Sequence, residues 1–384
     1  MTASNEMLDI AIVVTAKITA TTFVSGFARY AATRGHNIYI FADSLEPEQI
    51  EVGKGRISYV PITMCRDPHP IKDLRSLLEL TTELRRNRPK VLLYATPKAS
   101  LLASIAGTAL GIRTRVYQLW GLRLETVTGT TRRILAACEK ITSKFSTKIL
   151  ANSVSLSATY QSLGLNVGKR VDVLGQGSSH GVDIVRYSRV SSYPTLDEKT
   201  SEFLNRNKSR FIVGFVGRLH PDKGIDTLLA AVNQVQASGT PVAVLIVGND
   251  EGANFERDLY WEDSSIIVGH VDDPRPYYAA MDVLVLPSLR EGFPNVVLEA
   301  AAMSVPSIVS NGTGLVDSVV DGETGLIVPV QDSKILADAI TRLATDAQQL
   351  SKLSAAARIR VEEHFIQELV WDKTLAYAIQ STLE

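Results

Sequence analysis

Short runs of aliphatic and β-branched residues recur along this chain, each followed by a stretch with helical spacing, and the whole pattern is run through twice. Such alternation is the signature of βαβ units, and therefore of parallel sheets covered by helices on both faces. In the first half it predicts strands at Asp9 to Thr15, Asn37 to Phe41, Ile57 to Pro61, Val91 to Ala95, Arg115 to Gln118 and Thr147 to Ala151. Helices are expected there at Phe23 to Thr33, Lys72 to Arg86, Ala99 to Leu110 and Thr131 to Phe145. The second half restarts with strands near Phe211 to Val216, Val242 to Val247, Ser265 to Val268, Val283 to Pro287 and Ser307 to Val309. Its helices are expected near Thr227 to Ala237, Val296 to Met303, Lys334 to Ala344 and Ala347 to Glu363. Between the halves, Leu174 to Asp183 reads LGQGSSHGVD, a Gly and Ser cluster that breaks the periodicity and marks a hinge. A length of 384 residues suits two domains of ordinary size. The expected organisation is α/β, with doubly wound domains at 1–178 and 179–364 and a last segment at 365–384, helical in pattern from Phe365 to Leu383.

Several function classes fall away on composition. Cys65 and Cys138 lie far apart, with no CxxC and no histidine cluster, so neither a disulfide framework nor a structural zinc site is expected and a reducing cytoplasm suits the chain. The first apolar run, Ile10 to Ala16, is too short for a membrane span or a signal sequence, and no run of about 18 apolar residues occurs. The first strand reads IAIVVTAKITAT without GxGxxG, which argues against a dinucleotide oxidoreductase. The net charge of −1 hides a division: residues 1–178 hold 23 Lys and Arg against 13 Asp and Glu, the remainder 17 against 28. The first half is therefore the one to face an anionic partner. No nucleic-acid partner is expected.

Two segments of the second half carry chemistry. Phe215 to Asp226 reads FVGRLHPDKGID: a strand ends at Gly217, Arg218 and Lys223 follow, and Gly224 precedes a helix. Ligands of parallel sheets bind at the carboxyl ends of strands, where an Arg fork and a Lys can neutralise a diphosphate. Pro287 to Ala301 reads PSLREGFPNVVLEAA, with Glu291 and Glu299 on either side of GFPN and a helix start. The loop from Gly292 to Val296 would present N–H groups at the positive end of that helix, and a carboxylate one turn in can accept both hydroxyls of a ribose.

Together FVGRLHPDKG, the Gly269-His270 pair, YAAMDVLVLPS at Tyr278 to Ser288, EGFPNVVLEA and DGETGLIVP resemble the retaining, family 4-like glycosyltransferases of group 1. That family includes sucrose and glycogen-type synthases, mannosyltransferases and bacterial polysaccharide enzymes. The resemblance covers mainly Val171 to Pro329. It implies the GT-B fold, two Rossmann-like domains facing a cleft with the helix of 365–384 crossing back to the first, and a nucleotide-diphosphate sugar, a UDP-sugar, as co-substrate with no other cofactor and no metal. It makes Arg218 and Lys223 the diphosphate ligands, Glu299 the ribose ligand and Glu291 the contact to sugar hydroxyls. Arg218, Lys223 and Glu291 are thus the expected catalytic set. Gly217 and the backbone of Gly292, Phe293, Pro294, Asn295 and Val296 complete the expected donor pocket, with Gly269, His270 and Val271 bordering the base. Retention would follow from a same-face substitution in which the departing phosphate takes the acceptor proton. A GDP-mannose-dependent transferase, a transferase acting on a soluble acceptor, and a sugar-nucleotide 2-epimerase of the same fold are the alternatives.

The first half departs from the family. Where many relatives carry Gly-Gly after the first strand, this chain has Thr15 to Thr21, TAKITAT, and where they carry His-Gly it has Trp120-Gly121. Hydroxyls and backbone N–H groups of Thr19 to Thr22, at a helix start, could touch the donor phosphate or cap the helix. TPKAS at Thr96 to Ser100, WGLRLE at Trp120 to Glu125 and the hinge are similar to bacterial capsule, O-antigen and protein-glycan transferases that extend a sugar on polyprenyl diphosphate, often with UDP-linked N-acetylhexosamines. Acceptor-side candidates are accordingly Lys17, Thr19, Thr21, Lys98, Trp120 and Arg123. The expected acceptor is a lipid-linked saccharide reached at the anionic inner face of the cell membrane, the chain itself being cytoplasmic and peripheral. Thr131 to Lys148 adds an amphipathic helix with Ile134, Cys138, Ile141 and Phe145 on one face, expected to turn inward, and Arg132, Arg133, Lys140, Lys144 and Lys148 elsewhere. Oligomeric state is not readable from the sequence.

Overall fold

A computed structural model describes residues 7–65, 69–252 and 263–380. The chain divides into two compact units, Met1–His180 together with Glu368–Glu384, and Gly181–Gln367.

The first unit holds strands β1 (Asp9–Ala16), β2 (Asn37–Asp43), β3 (Glu48–Val52), β4 (Gly55–Pro61), β5 (Val91–Tyr94), β6 (Thr114–Leu119), β7 (Lys148–Ala151) and β8 (Val171–Val173). They form one sheet in the order β3-β4-β2-β1-β5-β6-β7-β8. Every pair is parallel except β3 with β4. Its helices are α1 (Lys17–Thr19), which continues as a π-helical turn (Ala20–Val24) into α2 (Ser25–Thr33), then α3 (Pro70–Asn87), α4 (Pro97–Ala109), α5 (Gly129–Phe145) and α6 (Val154–Ser162). Along β1, Ala11 and Val13 enter the core on one face of the sheet while Ile10, Ile12 and Val14 enter the core on the other. A strand buried on both faces reads as an unbroken apolar run, and for that reason β1 and β5 are plain in the sequence. The edge strand β3, EQIEV, is largely exposed and has no such run.

One expectation is corrected here. The apolar stripe of α5 turns inward only in part: Ile134 is 60% and Ile141 39% exposed, while Cys138 and Phe145 are half-buried. The face of α5 that is buried carries Glu139, Thr142 and Ser143. Glu139 enters the core because two phenols receive it, Tyr117 at 2.8 Å and Tyr160 at 3.2 Å. Burial outweighs these two bonds and pushes its pKa up to about 7.

The second unit holds β9 (Phe211–Val216), β10 (Val242–Val247), β11 (Ser265–Gly269), β12 (Val283–Leu286), β13 (Ser307–Ser310) and β14 (Gly325–Val328), an all-parallel sheet in the order β11-β10-β9-β12-β13-β14. Its helices are α7 (Glu198–Arg206), α8 (Ile225–Ala237), α9 (Arg275–Ala280), α10 (Asn295–Ala302), α11 (Ser333–Thr345) and α12 (Ala347–His364). The central strands β9, β10 and β12 are apolar throughout and almost wholly buried.

The last helix, α13 (Gln367–Ile379), lies with the first unit from Glu368 onward. Its Leu375 and Ala378 join the core beside β1 and β2, Tyr30 donates to Asp372 at 3.0 Å, and the Tyr377 hydroxyl donates to Asp172 at 2.7 Å. The expected helix from Phe365 therefore begins two residues later, and its expected end at Leu383 lies outside the described residues.

Candidate functional site

In each sheet the strand order reverses beside the first strand: between β1 and β5 in the first unit, between β9 and β12 in the second. At such a switch point the loops leaving adjacent strands run to opposite faces and open a crevice at the carboxyl ends, the usual ligand position of this architecture.

In the second unit the crevice segments are the ones following β9 and β12. Gly224 opens α8 at φ +70°, and a Cβ there would lie 2.2 Å from the Pro287 carbonyl oxygen, so only glycine lets the two segments meet. Gly314, at φ +78°, similarly lies against the carbonyls of Glu291 and Gly292. With the backbones pressed together, Lys223 Nζ donates to Glu291 Oε1 at 2.5 Å, and Ser288 Oγ donates to the same oxygen at 3.1 Å. Both charged side chains are largely buried, 13% and 17% exposed. Asp222 lies behind them, between His220 at 2.7 Å and Arg290 at 3.4 Å. Burial opposes its charge, but Lys223, His220 and Arg290 outweigh that and hold its carboxyl below the usual range.

Arg218 is not part of this cluster. It is half-exposed and its Nη1 donates to Glu251 at 2.8 Å. Gly217 closes β9 with its N–H on the Val247 carbonyl. Gly269 ends β11, and the His270 N–H donates to the Asn249 side chain at 3.0 Å while its ring stays in solvent beside Asp272. Val271 packs on the edge of the main core. Gly292, Phe293 and Pro294 lead into α10, where the Phe293 ring is core, 5.4 Å from Phe365, so only its backbone is left for a ligand. No side chain caps α10, which leaves its first N–H groups, at Asn295 and Val296, without the cap that Ser or Asp would give. Asn295 Oδ1 is buried with no partner. Glu299, the fifth residue of α10, accepts a hydrogen bond from Tyr278 at 2.8 Å. Burial raises its pKa against the pull of the Tyr278 and Tyr187 phenols. Ser288, Asp222, Arg290, Tyr187 and Tyr278 were not singled out by sequence. Ser288 and Arg290 flank Glu291 in the same motif, which was a usable signal; Tyr187 gave none.

In the first unit, the ends of β1 and β5 are joined by hydroxyls. Thr15 and Thr96 share a 2.7 Å bond, and the Thr15 N–H donates to Thr96 Oγ1 at 3.1 Å. Thr96 holds φ +68°, a rare conformation for a β-branched residue. The expectation of a helix start capped within Thr19 to Thr22 is corrected: the helix opens at Lys17 with Ala16 in the cap position, and the Thr21 hydroxyl bonds back to the Lys17 and Ile18 carbonyls. Lys17 reaches Glu46 at 3.5 Å, and Lys98 is drawn away to Asp73 at 2.7 Å, tying α4 to α3. Trp120 stands edge-on to Phe23 with ring centres 6.5 Å apart and also lines a recess with Gln118, Asn152, Ser178 and Ser179, while Arg123 is exposed. Among the described residues, no group of three or more His, Cys, Asp or Glu is placed to hold a metal ion, and no helix is long and apolar enough to cross a membrane.

Comparison with known proteins agrees with this architecture. The family model for glycosyl transferases group 1 matches residues 210–346, and that for the glycosyl transferase 4-like domain matches residues 19–177. The chain is similar to the capsular polysaccharide biosynthesis glycosyltransferase CapM of Staphylococcus aureus, 35% identical over 88% of this chain and 89% of that one. It is also similar to the UDP-Gal:alpha-D-GlcNAc-diphosphoundecaprenol alpha-1,3-galactosyltransferase of Escherichia coli, 27% identical over 81% and 80%. Among solved structures, a sucrose-phosphate synthase from Thermosynechococcus elongatus superposes with TM-score 0.80 at 22% identity, covering 98% of this chain and 99% of that one. HepE of Anabaena, in complex with UDP and glucose, superposes with TM-score 0.73 at 20% identity, covering 97% and 100%. With these matches spanning both units, the chain belongs to the group 1 and 4-like glycosyltransferases and has their GT-B fold of two Rossmann-like domains.

Proposed function

We propose that this glycosyltransferase moves a sugar, an N-acetylhexosamine or a close relative, from a UDP donor onto a polyprenyl-diphosphate-linked glycan during bacterial surface polysaccharide synthesis, with retention and without a metal. The observation that carries the reading is the Lys223–Glu291–Ser288 cluster beside the N-terminus of α10, at the switch point of the second sheet. Lys223 and the first N–H groups of α10 supply positive charge where a diphosphate leaving group gains its negative charge, and Arg218 adds more from the rim. In the reaction the bond from the anomeric carbon to the phosphate oxygen breaks and one to the acceptor oxygen forms on the same face. The departing phosphate takes the acceptor proton, so the site is asked for positioning and charge stabilisation more than for a strong base. Glu291, held by Lys223, is offered to the sugar hydroxyls, and Glu299 to the ribose.

Surface polysaccharide synthesis is supported by the capsular relative from Staphylococcus aureus, and the lipid-linked acceptor by the relative from Escherichia coli, which acts on a diphosphoundecaprenol-linked sugar, and by the outer face of the first unit. There α3 exposes Ile71, Leu74 and Leu78, and α5 exposes Ile134 and Ile141 among the exposed Arg132, Arg133, Lys140 and Lys144. Apolar side chains ringed by cations suit reversible seating on an anionic bilayer. The test is incubation with a panel of UDP- and GDP-sugars, with and without a polyprenyl-diphosphate saccharide, with and without chelator. UDP released only when the lipid-linked acceptor is present, with an α-linked product from an α-linked donor, is the expected result. A GDP-sugar as the only substrate, transfer to free sugars alone, or a 2-epimer formed without acceptor would each replace this reading.

A further inference from the structure

Glu299 lies on α10 four residues after Asn295, so both side chains belong to one helix face. Neither is arranged as an ordinary surface residue. Asn295 Oδ1 is buried without a donor, and an acceptor left in that state costs free energy until some hydroxyl or amide supplies one. Glu299 is held from behind. Tyr278, on α9 and wholly buried, donates to its Oε2 at 2.8 Å, and Tyr187 bonds the same carboxylate with its ring 6.3 Å from that of Tyr278. The charges that face Glu299 are Arg186, which favours its ionised form, and Asp273, which opposes it, and these two stand 4.0 Å from one another. An ionised carboxylate offers about four acceptor positions. Two phenols occupy two of them and fix the rotation of the group. The two that remain match the two O–H donors of a vicinal diol.

We propose that Tyr278 and Tyr187 are positioning residues for the nucleoside, orienting Glu299 so that it takes both hydroxyls of the donor ribose and rejects a 2′-deoxy nucleotide. The proposal rests on the donor-site reading above and deepens it. Neither tyrosine touches the nucleotide. Their effect passes through the direction and charge of one carboxylate, and burial, which pushes that carboxyl toward its protonated form, makes the phenols necessary.

Calorimetric titration of the full chain with UDP and with 2′-deoxy-UDP tests it, with GDP and its deoxy counterpart run in parallel so that the base does not decide the outcome. The native chain is expected to favour the ribonucleotide by roughly tenfold or more, the worth of a hydrogen bond to a charged group. Tyr278→Phe should weaken ribonucleotide binding by about five- to twentyfold, leave the deoxynucleotide nearly unchanged and bring the preference close to one. Tyr187→Phe, at a half-buried position, should move the ratio the same way by less. In Tyr278→Phe the loss of ribonucleotide binding on acidification should also begin at higher pH, because a donor to the ionised carboxylate is gone. Equal losses for both sugars, or an unchanged preference in both tyrosine variants, would overturn the proposal. Glu299→Gln separates the two levels: if it abolishes the preference while the tyrosine variants keep it, the positioning role fails and the ribose ligand stands. If Glu299→Gln keeps the preference, or the native chain binds neither nucleotide, the donor-site reading fails first and takes this one with it.

Discussion

The two units offer the same topological locus and fill it with different chemistry. Where β9 and β12 part, a largely buried Lys223–Glu291 pair is backed by Asp222 and Arg290. Where β1 and β5 part, two threonine hydroxyls meet, a helical segment follows at once, and the nearby Lys98 is turned toward Asp73 on α3. A doubly wound sheet therefore supplies a place, and the residues at the strand ends decide what the place can do. One crevice pairs opposite charges, and the other brings together hydroxyls and aromatic rings.

The largest test of this contrast is Lys223→Ala. It removes a buried cation and strands Glu291, so kcat/KM should fall about 100- to 1000-fold. Lys98→Ala in the first unit should cost less than about tenfold, since Lys98, though as buried as Lys223, is bonded to Asp73 of α3 and stands outside the charged crevice; steady-state kinetics showing comparable losses would erase the distinction between the crevices. Arg218→Ala should lie between them, at roughly ten- to thirtyfold, because a half-exposed cation shared with Glu251 is partly screened. Within the second unit, Glu299→Ala should cost affinity for free nucleotide, whereas Glu291→Ala should spare it and depress turnover. Equal losses of nucleotide affinity in calorimetry would merge the two roles.

The first unit has a pH signature of its own. The folded state holds the Glu139 proton up to about pH 7, against an ordinary value near 4.5, so the folded chain binds more protons than the unfolded one between those values. Its stabilisation is complete below the lower value and is lost as pH rises through the upper one, on the order of 3 kcal/mol in all. Thermal melts should show the first unit losing stability from pH 5 to 7, and Glu139→Gln should flatten that slope; a slope unchanged in the variant would place its origin elsewhere. A modest effect is expected on the outer surface. Replacing Ile71, Leu74 and Leu78 with serine should reduce cosedimentation with anionic vesicles by several-fold to about tenfold, with residual binding that fades with salt. Equal recovery with neutral vesicles would remove the bilayer from the account.

The same contrast governs what could be read in advance. Phe211 to Val216 and Val242 to Val247 are legible residue for residue, since strands buried on both faces leave uninterrupted apolar runs. Glu48 to Val52 is not, because an exposed antiparallel edge strand has no such run. The segment from Lys17 to Val24 is not legible, because its three threonines look like a loop and a cap, yet a π-helical turn, closed by Ser25 on the Ala20 carbonyl, carries it directly from β1 into α2. At the charged crevice both ends of the Lys223–Glu291 pair carry sequence signals, but their bond to each other does not, because it depends on Gly224 and Gly314 letting distant backbones touch. On α5 the stripe was visible and its direction was not: three polar residues take the inside only because Tyr117 and Tyr160 wait there for Glu139.

The chain path through the two units has a consequence for how this protein is made. Residues 181–367 are an insertion whose ends are pinned together, with Val182 bonded to the Phe365 carbonyl at 2.8 Å and Gln367 bonded to the Val182 carbonyl at 3.2 Å. The first unit is not complete until α13 returns to it. On a ribosome, which releases the chain from its N-terminus and lets units fold as they emerge, the order of maturation is thus reversed relative to the order of synthesis. The inserted unit can close as soon as its last strand and helices are out. The unit begun first must hold its β1 and β2 face open, with Leu375, Ala378 and Trp371 still to come, and is the last to be sealed.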